Sequence, residues 1–105
     1  MKREKTEIKY ILLAICTYKR PNMFKNALLS VNNLKLPDDI KVEFLVVDND
    51  SEGSAKEVVE DVQRSINLKI NYVTEEKRGL SNARNRVLEE AINLGATHIS
   101  MFDDD

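Results

Sequence analysis

The stretch Tyr10-Ile11-Leu12-Leu13-Ala14-Ile15-Cys16, running directly into Thr17-Tyr18-Lys19-Arg20-Pro21, decides how the rest of the chain is read. An unbroken apolar run of this length, bounded by polar residues, describes a strand covered on both faces. Three further runs have the same character. They are Val42-Glu43-Phe44-Leu45-Val46-Val47, Leu68-Lys69-Ile70-Asn71-Tyr72-Val73, where alternation is clearer, and Thr97-His98-Ile99-Ser100-Met101-Phe102.

Between these runs the apolar residues change to helical spacing. Phe24, Ala27, Leu28 and Val31 form one stripe. Ala55, Val58, Val59, Val62 and Ile66 form a second, and Leu80, Ala83, Val87, Leu88, Ala91 and Ile92 a third. Each follows the i, i+3, i+4, i+7 pattern that lays one face of a helix on a sheet. Gly95 stands where a cap glycine belongs, and Pro37-Asp38-Asp39 breaks the chain before the second strand. Alternating strand and helix implies right-handed crossovers and a mostly parallel sheet in an α/β fold. No helical stripe follows the fourth run to cover its side of the sheet, so the sequence reads as a truncated domain.

Bulk properties narrow the function. The 105 residues suit one small domain or part of a larger one. With 16 basic and 18 acidic residues, the net charge of -2 gives no electrostatic reason to expect a nucleic-acid partner. The single cysteine, Cys16, excludes an intramolecular disulfide and reads as a buried, inert thiol. The charged start, MKREKTEIK, is followed by an apolar run too short for a signal peptide, and no stretch approaches the ~20 apolar residues of a membrane span. A cytoplasmic location is expected.

In an open parallel sheet, ligands bind outside the carboxyl ends of the strands. Here those ends deliver Thr17-Tyr18-Lys19-Arg20-Pro21, Asp48-Asn49-Asp50-Ser51, Thr74-Glu75-Glu76-Lys77-Arg78-Gly79 and Asp103-Asp104-Asp105. The acidic triplet is the sharpest feature, because adjacent carboxylates repel one another and a hard divalent cation relieves them. It also reads as a solvated turn. Asp48 has two readings as well, a ligand contact or a turn, and Asp50-Ser51 is a candidate cap for the following helix. Arg84 and Asn85, near the start of the third helix, suit an anion or a solvated face. Tyr18 suits base stacking or a half-buried loop position. His98 reads as a packed or rim histidine.

Four stretches together resemble the family 2 glycosyltransferases, which have the GT-A fold. They are Ile15-Cys16-Thr17-Tyr18-Lys19-Arg20-Pro21, Val46-Val47-Asp48-Asn49-Asp50-Ser51, Gly79-Leu80-Ser81-Asn82-Ala83-Arg84-Asn85 and Met101-Phe102-Asp103-Asp104-Asp105. The resemblance implies that residues 1–105 are the N-terminal nucleotide-sugar-binding part of a GT-A domain, a Rossmann-like sheet of order 3-2-1-4. It implies a nucleoside-diphosphate sugar, UDP- or GDP-linked, lying across strands one and four. Thr17 and Tyr18 would line the base pocket, and Asp48 would hydrogen-bond the base or ribose. Arg84 would hold the nucleotide or the acidic loop. Asp103 would face the ribose or metal and Asp105 would bind the metal, Mn2+ or Mg2+, with Asp104 the variable middle position. The acceptor would be a glycan or lipid-linked molecule.

The first motif departs from the family's usual Pro-Thr-Tyr-Asn, reading Cys16-Thr17-Tyr18-Lys19. The family's acceptor half and catalytic base lie beyond the acidic motif, so no catalytic residue is expected among these residues and the piece alone is expected to be inactive. A nucleotidyltransferase is the nearest enzymatic rival, but it would carry a glycine-rich loop after strand one. A phospho-receiver domain would need an acidic pair where this chain has Cys16-Thr17. A non-catalytic nucleotide-sugar-binding module is the remaining alternative.

Overall fold

A computed structural model of the chain describes residues 9–31 and 39–102. Along them strand and helix alternate: β1 (Lys9–Thr17), α1 (Pro21–Val31), β2 (Ile40–Asp48), α2 (Lys56–Gln63), β3 (Ile70–Thr74), α3 (Leu80–Leu94) and β4 (His98–Phe102). The strands form one sheet in the order β3-β2-β1-β4, and every pairing is parallel. This is the expected α/β order.

The two central strands explain why their sequences are continuously apolar. Ile15, Phe44 and Val46 pack with Phe24 and Leu28 of α1 and Val59 and Val62 of α2. Their neighbours Leu12, Ala14, Leu45 and Val47 pack on the opposite face with Ala83, Val87 and Ala91 of α3. Successive side chains of a strand point to opposite faces, so covering both faces demands an apolar residue at nearly every position. Pro21 opens α1 at a position where its missing N–H is no loss, and Arg20 O accepts from Phe24 N–H at 2.9 Å. Gly95 closes α3 in the left-handed region, at φ 81°.

Three details depart from the sequence expectation. The third strand begins at Ile70 rather than Leu68. The Gln63 side chain donates to Leu68 O at 2.8 Å and accepts from Ile70 N–H at 2.7 Å, holding the strand entry from α2. The α3 stripe is only half used, since Ala83, Val87 and Ala91 are buried but Leu80, Leu88 and Ile92 are exposed. The cause is placement: α3 lies over β1 and β2, while β4 runs along the sheet edge with His98 to Met101 exposed. Cys16 is half-buried rather than sealed in the core, because α3 begins only at Leu80 and leaves that end of β1 open.

Candidate functional site

Register brings three strand ends level. Thr17 lies beside Asp48, and Asp48 beside Thr74. The ladder continues one step further, with Asn49 N–H donating to Thr17 O and Glu75 N–H to Asp48 O, each at 2.8 Å. On the other side of β1, Phe102 of β4 stands beside Ile15, just short of this row.

Three cavities open along this edge and share walls. The first, about 210 Å³, lies among Cys16, Thr17, Tyr18, Arg20, Asn49, Leu80 and Ala83. A second, about 290 Å³, lies toward β4 and shares Cys16 and Leu80, adding Arg84, Met101 and Phe102. The third, about 270 Å³, shares Tyr18 and Asn49 and is otherwise polar, with Lys19, Asp50, Glu76 and Arg78 among its walls. A wider open groove of about 530 Å³ between α2 and β3 lies away from the strand ends.

Asp48 does what the turn reading describes. Its side chain is fully buried, with Oδ1 accepting from Asp50 N–H at 3.1 Å and Oδ2 from Ala55 N–H at 2.9 Å and the Tyr72 hydroxyl at 2.8 Å. The carboxylate lines none of the three cavities, so contact with a base or ribose would require its loop to open. Burial and the bond to Asp48 push the Tyr72 phenol above its ordinary range. Asp50 and Ser51 do not cap α2, which starts only at Lys56 with Ala55 as its cap. Instead Asp50 Oδ1 accepts from Glu52 N–H at 3.1 Å. That backbone bond and one from the Ser54 side chain hold the carboxyl below its usual value.

Asn49, to which the sequence reading assigns no role, lines both the first cavity and the polar one. Its Nδ2 donates to Glu75 O and Lys77 O, both at 2.9 Å, and its Oδ1 accepts from Gly79 N–H at 2.9 Å. One buried amide thereby fixes the loop between β3 and α3. Glu75 is tied from the other side by Arg86, at 3.6 Å. Arg78, also without a role from sequence, carries its guanidinium 4.2 Å from the centre of the Tyr18 ring. A polar amide following a strand is a usable signal for such a staple, but nothing in the sequence marks Arg78.

The other expected site residues fall as follows. Thr17 is buried in the first cavity wall and Tyr18 is half-buried between two cavities. Lys19 turns the chain in the left-handed region, at φ 52°. Arg84 is exposed in the wall of the β4-side cavity, and no carboxylate among the described residues lies within ion-pair distance of it. His98 is exposed on the edge strand, its Nδ1 2.8 Å from Thr97 Oγ1. Asp103 and Asp105 lie outside the described residues. Among the described residues no group of three or more His, Cys, Asp or Glu is arranged to hold a metal ion, and no helix is long and apolar enough to cross a membrane.

A parallel sheet in this order, with its polar strand ends gathered on one edge, is the Rossmann-like half of a GT-A domain. Residues 13–105 match the profile of Glycosyl transferase family 2, and the chain belongs to that family. It is 31% identical over 99 residues to the succinoglycan biosynthesis protein ExoM of Rhizobium meliloti (strain 1021), a match covering 94% of this chain and 31% of that protein. Among solved structures it resembles the mannosyltransferase PcManGT from Pyrobaculum calidifontis, determined in complex with GDP-Man and Mn2+. The TM-score is 0.67 and the identity 25%, covering 77% of this chain and 24% of that one. The chain thus spans about a third of the length of the first relative and a quarter of the second.

Proposed function

We propose that this chain binds the nucleoside-diphosphate portion of a sugar donor along the strand-end edge, as the donor half of a glycosyltransferase. The observation that carries this reading is the charge of the cavity walls. In the two joined cavities nearest β1 and β4, the charged lining residues are Arg20 and Arg84, both cations. The acids of the β2 end, Asp48 and Asp50, are buried and turned to backbone donors. An apolar slot flanked by guanidinium groups suits a planar base joined to a diphosphate. The relative solved with GDP-Man and Mn2+ supports the same donor chemistry.

In this reading Thr17 and Tyr18 shape the base pocket, Arg84 holds the diphosphate, and Asp48 acts by holding its loop in shape. Asp103 and Asp105, acidic and following directly on β4, are the residues proposed to hold Mn2+ or Mg2+, whose oxygen preference matches carboxylate ligands. When bound, the ion would offset the charge of the departing diphosphate. The acceptor site and the base that deprotonates an acceptor hydroxyl are assigned to sequence beyond the acidic run.

The test is calorimetric titration of UDP and GDP with and without Mn2+. Metal-dependent binding that is weakened by Arg84→Ala and by Asp105→Asn is expected. Binding that is indifferent both to the metal and to these substitutions would sink the assignment.

A further inference from the structure

We propose that Arg78 is a positioning residue for the base pocket. Its guanidinium, held by the loop that Asn49 pins, fixes the Tyr18 ring as the wall between two cavities and so sets how a planar base is received. The proposal rests on the nucleotide-binding reading above and adds to it a residue acting through another.

The guanidinium carbon of Arg78 lies 4.2 Å from the centre of the Tyr18 ring, close enough for the flat cation to stack on the ring face. Lys19 Nζ approaches the same ring less closely, at 5.5 Å. No carboxylate among the described residues lies within ion-pair distance of Arg78, so the ring is its partner. Tyr18 borders both the first cavity and the polar one, whereas Arg78 borders only the polar one. The ring therefore partitions the two spaces, with the cation on the polar side. Toward the first cavity it faces a slot whose walls include Cys16, Leu80 and Ala83. A base entering there meets an aromatic face already held from behind.

An exposed arginine on a loose loop would lose more rotamer and backbone entropy than such a contact returns. Here the backbone on both sides of Arg78 is tied to one side chain. Lys77 O accepts from Asn49 Nδ2 and Gly79 N–H donates to Asn49 Oδ1, each at 2.9 Å. Arg78 O itself accepts from Asn82 Nδ2 at 3.1 Å, and Lys77 N–H donates to Glu75 Oε2 at 3.0 Å. The loop is ordered before any ligand arrives.

The experiment has two arms. In the first, the ring signals of Tyr10, Tyr18 and Tyr72 are followed by NMR without nucleotide in wild type, Arg78→Ala and Arg78→Lys. Arg78→Ala is expected to move the Tyr18 signals and leave the other two in place, with Arg78→Lys intermediate. Unmoved Tyr18 signals would overturn the proposal whatever happens with nucleotides.

In the second arm, uridine, guanosine and their diphosphates are titrated by calorimetry. Arg78→Ala is expected to weaken the preferred nucleoside and its diphosphate by the same factor, roughly threefold to tenfold for a contact of this class. In a Tyr18→Ala background it should have no further effect. A loss confined to the diphosphate and persisting without Tyr18 would mean that Arg78 touches phosphate directly, which contradicts the proposal. If the wild-type protein binds none of the four, the nucleotide reading fails and takes the base-receiving role with it. The ring signals then still report whether Arg78 places Tyr18.

Discussion

Replacing Asp48 by alanine separates its two possible roles, because they predict opposite pairs of results. The side chain is fully buried and accepts from Asp50 N–H at 3.1 Å, Ala55 N–H at 2.9 Å and the Tyr72 hydroxyl at 2.8 Å. Alanine leaves all three donors without an acceptor, at about 1–3 kcal/mol for each buried unsatisfied group. Water entering the vacated space would recover part of this, so the expected loss is about 3–5 kcal/mol. Against a total stability of about 5–15 kcal/mol, such a variant is close to unfolding. Asp48→Asn keeps one acceptor oxygen but turns an amide toward a donor, for an expected loss of roughly 1–3 kcal/mol. Tyr72→Phe removes only one of the three bonds and should cost about 1 kcal/mol. Urea unfolding followed by circular dichroism at pH 7 measures all three, and the double variant reports the coupling between Asp48 and Tyr72. A stable Asp48→Ala protein, within about 1 kcal/mol of wild type, that nevertheless fails to bind nucleotide would refute the structural role and make Asp48 a ligand contact.

Arg84→Ala should weaken nucleoside diphosphate binding roughly tenfold, the scale of one charge-assisted hydrogen bond, while leaving nucleoside affinity and the melting temperature unchanged; calorimetry at two salt concentrations checks this. Lys19→Asn should raise stability by about 0.5–1 kcal/mol in urea, because φ at this position is 52° and asparagine tolerates the left-handed region better than lysine. The Tyr10–Glu43 pair, bonded at 2.6 Å, should set pH limits on both sides. For Glu43, burial opposes ionisation, but bonds from Tyr10 and Asn71 and the nearby Lys41 and Lys69 outweigh it and hold the carboxyl below its ordinary 4.5. Its stabilisation is therefore present above that value and lost as pH falls through the lowered one. Burial first, then Glu43, pushes Tyr10 from 10.0 up to about 12, so its contribution is intact below pH 10 and is lost toward pH 12. Tyr10→Phe should flatten the alkaline limb of a melting-temperature profile.

The alternation of strands and helices was legible because burial leaves a direct mark. β1 and β2 are apolar at nearly every position since each face is covered, and α1, α2 and α3 each show one stripe. Strand order was not in the periodicity; it came from the resemblance carried by the four strand-end motifs. What pattern could not reveal was which part of a stripe meets a neighbour. Leu80, Leu88 and Ile92 read the same as Ala83, Val87 and Ala91, yet the first three are exposed, because the helix sits over β1 and β2 and not over β4. Nor could it show that Gln63 would hold the entry to β3, since that bond joins a helix end to a strand start.

The strand-end edge where the cavities open was legible in the sequence, and which way each of its side chains turns was less so. Asp48 and Asn49 are adjacent, and the two-residue period of a strand sends them opposite ways. Asp48 follows Phe44 and Val46 toward the α1 and α2 face, where Tyr72 and Ala55 meet it. Asn49 follows Leu45 and Val47 toward α3, where it ties down Glu75, Lys77 and Gly79. One dipeptide thus shapes both loops that frame the edge, and its two members cannot exchange places although they differ by a single polar group. The charge consequence follows from the same geometry. With the Asp48 carboxylate drawn into its own loop, the cavities beside β1 and β4 keep Arg20 and Arg84 as their charged walls. Asp48, which the sequence leaves open between a ligand contact and a turn, commits its carboxylate to its own loop and away from those walls.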